Sequence, residues 1–303
     1  MFNKYLTKQI LDLKEKMRIH DEPFIKSQSN VKDIDVFPET FSTTSTLLKQ
    51  NFYINRNKED LKPLLIVLHG GAWIYGDENL NGLYAMDFAR RGYLVVSINY
   101  RLIPEVGISE MVQDVFASIS NIVKLNNKYS YDKNNITLAG NSAGGHLALL
   151  FDIINENNEL QALYKVKHID IKIKNLILNH PAPFVRDMKI MLHHNILNKI
   201  AVNKFNNLMI NKNKSIKNAY SFEDISSLMN KVTNILIVTS KGDSVVGEQA
   251  FKLKELFIKD DISFSFYYES SPDAIHVFNV TAPNKKESIK CNDEIDKFIK
   301  NAK

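Results

Sequence analysis

Gly140-Asn141-Ser142-Ala143-Gly144 sets a serine between two glycines, directly after an apolar run at 136–139 and directly before helically spaced residues at 143–154. In such a strand-to-helix turn the glycines allow a bend that a Cβ would obstruct, and the serine hydroxyl is lifted above the sheet edge as a nucleophile. The plainer alternative is a serine that caps a helix. A serine hydroxyl is a weak nucleophile at neutral pH, so it needs a base beside it and a third group that holds the base in one tautomer. His276, in the loop between an apolar run ending at 268 and the last amphipathic stretch, fits the base. Asp243, in Lys241-Gly242-Asp243 just after the run at 235–239, fits the orienting acid. The order serine, acid, histidine, the last two each following a late strand, suits a nucleophile of this kind. Glu248, one turn into the next helix, and Asp273, close before the histidine, compete for the acid's role.

The second constellation is His69-Gly70-Gly71-Ala72, after the apolar run at 64–68. Glycines let the backbone approach a substrate, so the amides of Gly70 and Gly71, with that of Ala143, are expected to form an oxyanion hole. Each such donor typically contributes roughly 3 kcal/mol to transition-state stabilisation. A Gly-Gly turn without catalytic duty is the alternative. His69 is expected to hold this loop by hydrogen bonds, and Gly140, Asn141 and Gly144 to shape the bend around Ser142. Of the other histidines, His146 lies on the helix after the serine, His168 and His180 flank a strand, and His20 is near the N-terminus. His193-His194 has no acidic or cysteine ligand nearby at a recognisable spacing, so no metal is expected, and the proposed chemistry calls for no cofactor.

These residues need a scaffold that delivers strand ends to one place. Residues 50–54 read as an edge strand, and the runs at 63–68, 93–98, 136–139, 173–178, 234–240 and 262–268 read as strands. Helical spacing covers 81–91, 108–125, 143–154, 247–258 and 287–299. Short continuous apolar runs are typical of strands buried on both faces, and their alternation with helices predicts an α/β fold with a mostly parallel sheet. Residues 1–45 read as an amphipathic helix and a polar connector, and 181–229, where the rhythm breaks, as an inserted helical cap on a single domain spanning 1–303.

At 44% hydrophobic and 24% charged residues, the chain can cover both faces of such a sheet. Its net charge of +5 is spread among interleaved Lys, Asp and Glu, and the densest basic stretch, 212–217, lacks interleaved aromatics. Nucleic-acid binding is therefore not expected. One cysteine, Cys291, excludes an intramolecular disulfide. Residues 1–16 lack the apolar core of a signal peptide, and no run is long enough to span a bilayer, so a cytoplasmic enzyme without membrane attachment is expected. Dimerisation through an edge strand or the cap is compatible with this reading.

Taken together, His69-Gly70-Gly71-Ala72-Trp73, Asn99-Tyr100-Arg101-Leu102-Ile103-Pro104-Glu105, Gly140 to Gly145, Gly242-Asp243 and His276-Val277-Phe278 resemble the hormone-sensitive-lipase-like esterases of the α/β-hydrolase superfamily over about residues 50–300. The resemblance implies an eight-stranded sheet, a cap built from the N-terminal segment and 181–229, and cofactor-free hydrolysis of small carboxylic esters through an acyl-enzyme on Ser142. Arg101 and Glu105 are expected to pair beneath the site. The sequence departs from the family pattern at Ala72, which replaces a third glycine, at Asn141, where an acidic residue is common, and before His276, where a glycine is often found. Two other readings stay open: an amide, formamide or peptide hydrolase using the same triad, and a non-catalytic binding protein on the same fold.

Overall fold

The computed structural model describes residues 2–41, 48–55, 61–187, 196–210, 213–229 and 233–302. Eight strands form one sheet: β1 (Ile34–Thr40), β2 (Lys49–Asn55), β3 (Lys62–Leu68), β4 (Leu94–Ile98), β5 (Tyr131–Asn141), β6 (Asn175–Asn179), β7 (Asn234–Ser240) and β8 (Ser265–Glu269). Their order is β1-β2-β4-β3-β5-β6-β7-β8, with the β1/β2 and β2/β4 pairs antiparallel and the remaining pairs parallel. The helices are α1 (Phe2–Ser27), α2 (Gly82–Arg90), α3 (Ile108–Lys124), α4 (Asn126–Tyr129), α5 (Ala143–Asn155), α6 (Asn158–Tyr164), α7 (Ile196–Ile210), α8 (Gly247–Lys259), α9 (Phe278–Thr281) and α10 (Lys286–Asn301). This is the α/β-hydrolase architecture.

The continuous apolar runs are explained by two cores, one on each face of the sheet. Along β3, Leu64, Ile66 and Leu68 enter the core shared with α3, α5 and α8, while Leu65 and Val67 enter the core shared with α2 and α10. Strand side chains alternate between faces, so a strand covered on both sides is apolar at every position. Helix α5 is buried throughout, which is why its sequence, AGGHLALLFDIIN, shows no polar face.

Three expectations are corrected. Residues 34–40, read as polar connector, form β1; an exposed strand carrying Pro38 lacks the apolar alternation that marks a buried one. Because β1 takes the edge, β2 is an interior strand, with Phe52 and Tyr53 fully buried. Arg101 does not pair with Glu105, which is exposed. It grips Asp114 of α3 instead, its Nε and Nη2 donating at 2.8 and 2.7 Å and its backbone N–H at 3.0 Å. Asp114 sits on the buried face of α3, where an unpaired carboxylate would be costly.

Part of 181–229 is helical, as α7 and three short 3₁₀ turns between Lys214 and Leu228. His193 and His194 lie outside the described residues.

The buried pair predicts that Asp114→Ala lowers the urea-unfolding free energy by about 2–3 kcal/mol, whereas Glu105→Ala changes it by less than about 0.5 kcal/mol. A second expectation concerns Asp152 of α5, a buried carboxyl whose pKa burial pushes up to about 7. As pH rises from about 4 the unfolded chain releases this proton first, so stability falls until the folded carboxyl also ionises near pH 7. Asp152→Asn should therefore stabilise the protein at pH 8 by a few kcal/mol and hardly at all at pH 4, as read by urea unfolding at the two pH values.

Candidate active site

The bend between β5 and α5 brings the backbone of Ser142 to φ 53° and ψ −114°, a conformation an L-residue rarely holds. Its glycines are required by contact: a Cβ on Gly140 would lie 2.3 Å from the Gly144 carbonyl oxygen, and one on Gly144 would lie 2.3 Å from the Leu68 carbonyl oxygen. Hydrogen bonds hold the strained residue on both sides. The Ser142 N–H donates to the Asn179 carbonyl at 3.0 Å, and the Ser142 carbonyl accepts from Gly145 at 2.9 Å and Ala182 at 3.1 Å. Asn141 is held from both sides through its side chain, by Asn81 at 3.0 Å and Asn179 at 2.8 Å.

Asp243 follows β7 and His276 lies in the loop after β8. A parallel bridge between Gly242 and Ile275 draws the two loops together. Gly242 permits this approach, because a Cβ there would lie 2.4 Å from the Pro272 carbonyl oxygen and 2.5 Å from that of Ala274. His276 Nδ1 and Asp243 Oδ2 then meet at 3.1 Å, while Asp243 Oδ1 accepts from the N–H groups of Val245 and Val246 at 2.9 and 3.1 Å. Burial pushes the Asp243 carboxyl up, but its hydrogen bond and attraction to His276 and the Val246 N–H outweigh this and hold it below its ordinary value. It is thus the ionised partner that an imidazole gaining a proton requires. Among the described residues no direct hydrogen bond joins the Ser142 hydroxyl to His276. The rest of the connection runs through His180, whose ring meets that of His276 edge-on at 5.7 Å and whose neighbour Asn179 holds the Ser142 amide. Of the competing acids, Glu248 sits in the first turn of α8, and the Asp273 N–H is bonded to Ser271 Oγ within its own loop.

The His69–Ala72 loop crosses directly over this bend. A Cβ on Gly70 would lie 3.3 Å from Ser142 Cβ, and one on Gly71, at φ 99°, would lie 2.0 Å from the Tyr75 carbonyl oxygen. Ala72 and Trp73 continue the turn at φ 51° and 60°. Among the described residues no chain acceptor takes the N–H of Gly70, Gly71 or Ala143, so all three can receive a ligand oxygen. His69 braces the loop: its Nδ1 contacts the Gly70 carbonyl at 2.7 Å, and its ring stacks on Tyr100 at 4.2 Å. The Tyr100 hydroxyl donates to the His69 carbonyl at 2.8 Å. Burial lowers the pKa of His69 and keeps it neutral.

His146 is buried with its Nε2 on the Tyr220 carbonyl at 2.7 Å, and His168 Nδ1 contacts the Asn155 carbonyl at 2.8 Å. Phe205 of α7 and His146 both pack on Trp73, which brings α7 onto the loop beside the serine. Asp21 of α1 faces the Tyr75 hydroxyl of the same loop. The residues that sequence reasoning overlooked are Asn179, His180 and Ser240. The legible signal was a polar Asn-His pair placed between an apolar strand and Pro181.

Residues 51–256 match the family described as BD-FAE. Isoprenylcysteine alpha-carbonyl methylesterase ICME of Arabidopsis thaliana is 37% identical over 98 residues, which are 32% of this chain and 23% of that protein. Arylacetamide deacetylase of Oryctolagus cuniculus is 31% identical over 152 residues, 48% of this chain and 36% of that protein. The chain spans less than a third of the length of the first curated relatives it matches, 23%, 26% and 30%. The crystal structure of esterase B from Lactobacillus Rhamnosis shares the fold, with a TM-score of 0.86 at 22% identity over 97% of this chain and 95% of that one.

The contacts at the bend make Gly144→Ala a severe test of the geometry. The substitution should lower stability by about 3 kcal/mol or more, or prevent accumulation of folded protein, as read by thermal unfolding and soluble yield. A variant with the wild-type melting temperature would show that the backbone crossing is looser than described.

Proposed function

The chain belongs to the BD-FAE family, and from that premise we propose that it is a serine carboxylesterase acting on small carboxylic esters. The observation that carries the reading is the part-buried Asp243–His276 hydrogen bond of 3.1 Å, joined through His180 and its neighbour Asn179 to a strained Ser142. Ser142 Oγ attacks the ester carbonyl carbon while His276 Nε2 takes its proton, and Asp243 holds the Nδ1–H and favours the imidazolium. The carbonyl oxygen becomes an oxyanion received by the amides of Gly70, Gly71 and Ala143. Collapse breaks the bond to the alcohol oxygen, which takes the proton back from His276. Water then attacks the acyl-serine with His276 again as base, releasing the carboxylic acid and restoring Ser142.

In this reading α1 and the 181–229 segment cap the acyl pocket, supported by the packing of Phe205 on Trp73 and the approach of Asp21 to Tyr75. No described helix is long and apolar enough to cross a membrane. We also assign the enzyme to the cytoplasm, a reading supported by a single, buried cysteine, Cys291. Similarity to an arylacetamide deacetylase favours a second reading, in which the same triad cleaves an amide.

Ser142→Ala should reduce turnover of a short nitrophenyl ester by at least about 10³-fold, and a fluorophosphonate should label Ser142 in the unaltered protein. Retained turnover in the variant, or a label mapped to another residue, would remove the proposal. Matched ester and anilide substrates separate the two readings: the ester reading expects the ester to be cleaved far faster.

A further inference from the structure

Behind the proposed triad runs a row of buried polar side chains that the mechanism leaves unused. Asn81 and Asn141 meet at 3.0 Å, Asn141 and Asn179 at 2.8 Å, Asn179 and His180 Nδ1 at 3.1 Å, and His180 Nε2 and Ser240 Oγ at 3.1 Å. The Ser240 hydroxyl then donates to the Ala274 carbonyl at 2.6 Å. The row crosses the C-terminal ends of β5, β6 and β7 and stops two residues before His276. Every one of these side chains belongs to a buried residue.

The direction of the row follows from counting protons. A serine hydroxyl has one proton and a carbonyl can only accept, so the Ser240 proton points at Ala274. His180 Nε2 must then donate to Ser240 Oγ. Complete burial keeps this imidazole neutral, its pKa pushed down to about 3, so Nδ1 bears no proton and must accept. The Asn179 amide must therefore turn its NH₂ toward His180 and its oxygen toward Asn141. The same demand passes to Asn141, which presents NH₂ to Asn179 and oxygen to Asn81. Relative to the placement in which Asn141 Nδ2 faces Asn81 and Asn179 Nδ2 faces Asn141, the three amides are turned over. That exchange of nitrogen and oxygen leaves the carbon frame unmoved.

We infer that His180 is a positioning residue for His276, fixed as the Nε2–H tautomer in a one-way chain of hydrogen bonds from Asn81 through Asn141, Asn179 and Ser240 to the Ala274 carbonyl. Two features make this chain matter to the loop. Ser240 ties the loop at Ala274 while the Gly242–Ile275 bridge ties it one residue later. The His180 ring, anchored at both nitrogens, then supplies a fixed wall at 86° to the ring of His276. The kinetic consequence rests on the esterase reading; the tautomer does not.

Nitrogen NMR of the imidazoles in the full-length, unaltered protein tests the chain directly. His180 should show a protonated Nε2 and an unprotonated Nδ1 from pH 6 to 8, and an Nδ1–H tautomer or a charged ring would overturn the inference. On a short nitrophenyl ester, Ser240→Ala and His180→Phe should each lower kcat about tenfold with KM within twofold, the misplacement of one catalytic imidazole costing a small part of the barrier. Because both changes cut one chain, the double variant should fall no lower than the weaker single. Wild-type kcat in both folded singles, or losses that multiply, would overturn the positioning role. An unaltered protein inert toward esters would remove the esterase reading instead, and a variant that fails to fold leaves the NMR measurement to decide.

Discussion

The site is built around one backbone crossing. At the end of β3 the carbonyls of Leu68 and His69 pass so close to Gly144 that no side chain fits between them, 2.3 and 2.5 Å from where its Cβ would be. The pairing of β3 with β5, which sets Leu68 opposite Gly140, aligns the two chain ends for this crossing. Once they are crossed, the loop from His69 to Trp73 must lie on the bend that carries Ser142. A non-glycine residue at positive φ typically costs about 1–3 kcal/mol, so Ser142 keeps its conformation only because its surroundings over-determine it. The three hydrogen bonds to its N–H and carbonyl, and the complete burial of α5 behind it, are that over-determination. The same crossing leaves three amides without an acceptor among the described residues, so strain at the serine and open donors beside it are consequences of one packing decision.

Burial divides the histidines by what each can do. His69, His146 and His180 are fully enclosed, and desolvation lowers the pKa of each and keeps it neutral. An enclosed ring whose affinity for a proton is lowered in this way can brace a loop but is poorly suited to taking a proton from a reacting group. Among the described residues, only His276 combines partial exposure, at 19% of its side chain, with a partner carboxylate whose own side chain is fully enclosed. An enclosed carboxylate survives as an ion only when paired, and pairing it with the partly exposed imidazole of His276 fixes that ring's Nδ1. The partial exposure of the His276 ring and the burial of the Asp243 side chain are therefore complementary requirements.

What could be read from the residues depended on whether the governing interaction was local. The bend at Ser142 was legible because two glycines and two flanking periodicities occur within about twenty residues, and β3 and β4 were legible because both faces are covered. β1 was not, because its partner β2 supplies the reason for it to be extended, and its own sequence, IDVFPET, is largely solvated. The first half of β5, residues 131–135, was hidden for a related reason: Asp132, Lys133 and Asn134 carry no apolar pattern, only Tyr131 and Asp132 pair with β3 there, and residues 133–135 fall where the register shifts. Arg101 was assigned the wrong acid because Glu105 is nearer in sequence, whereas α3 brings Asp114 back beneath it. Long-range partners leave no periodicity in the chain.

The polar residues that end the parallel strands show why the chemistry gathers on this side. Asn99 follows β4, Asn141 and Asn179 end β5 and β6, and Ser240 ends β7, all buried although each stands at the last rung of its strand or just past it. Backbone groups leaving a sheet must still find partners, and open α/β sheets place their crevice at these carboxyl ends. Here the side chains answer that need themselves: Asn99 accepts from the Tyr100 N–H at 2.8 Å, and Ser240 donates to Ala274 at 2.6 Å. Apolar residues at the same positions would leave the loops carrying His69 and His276 with fewer fixed points. A sheet that is hydrophobic along its strands and amide- or hydroxyl-terminated at one end thus converts register, a property of the whole fold, into the placement of two loops relative to one serine.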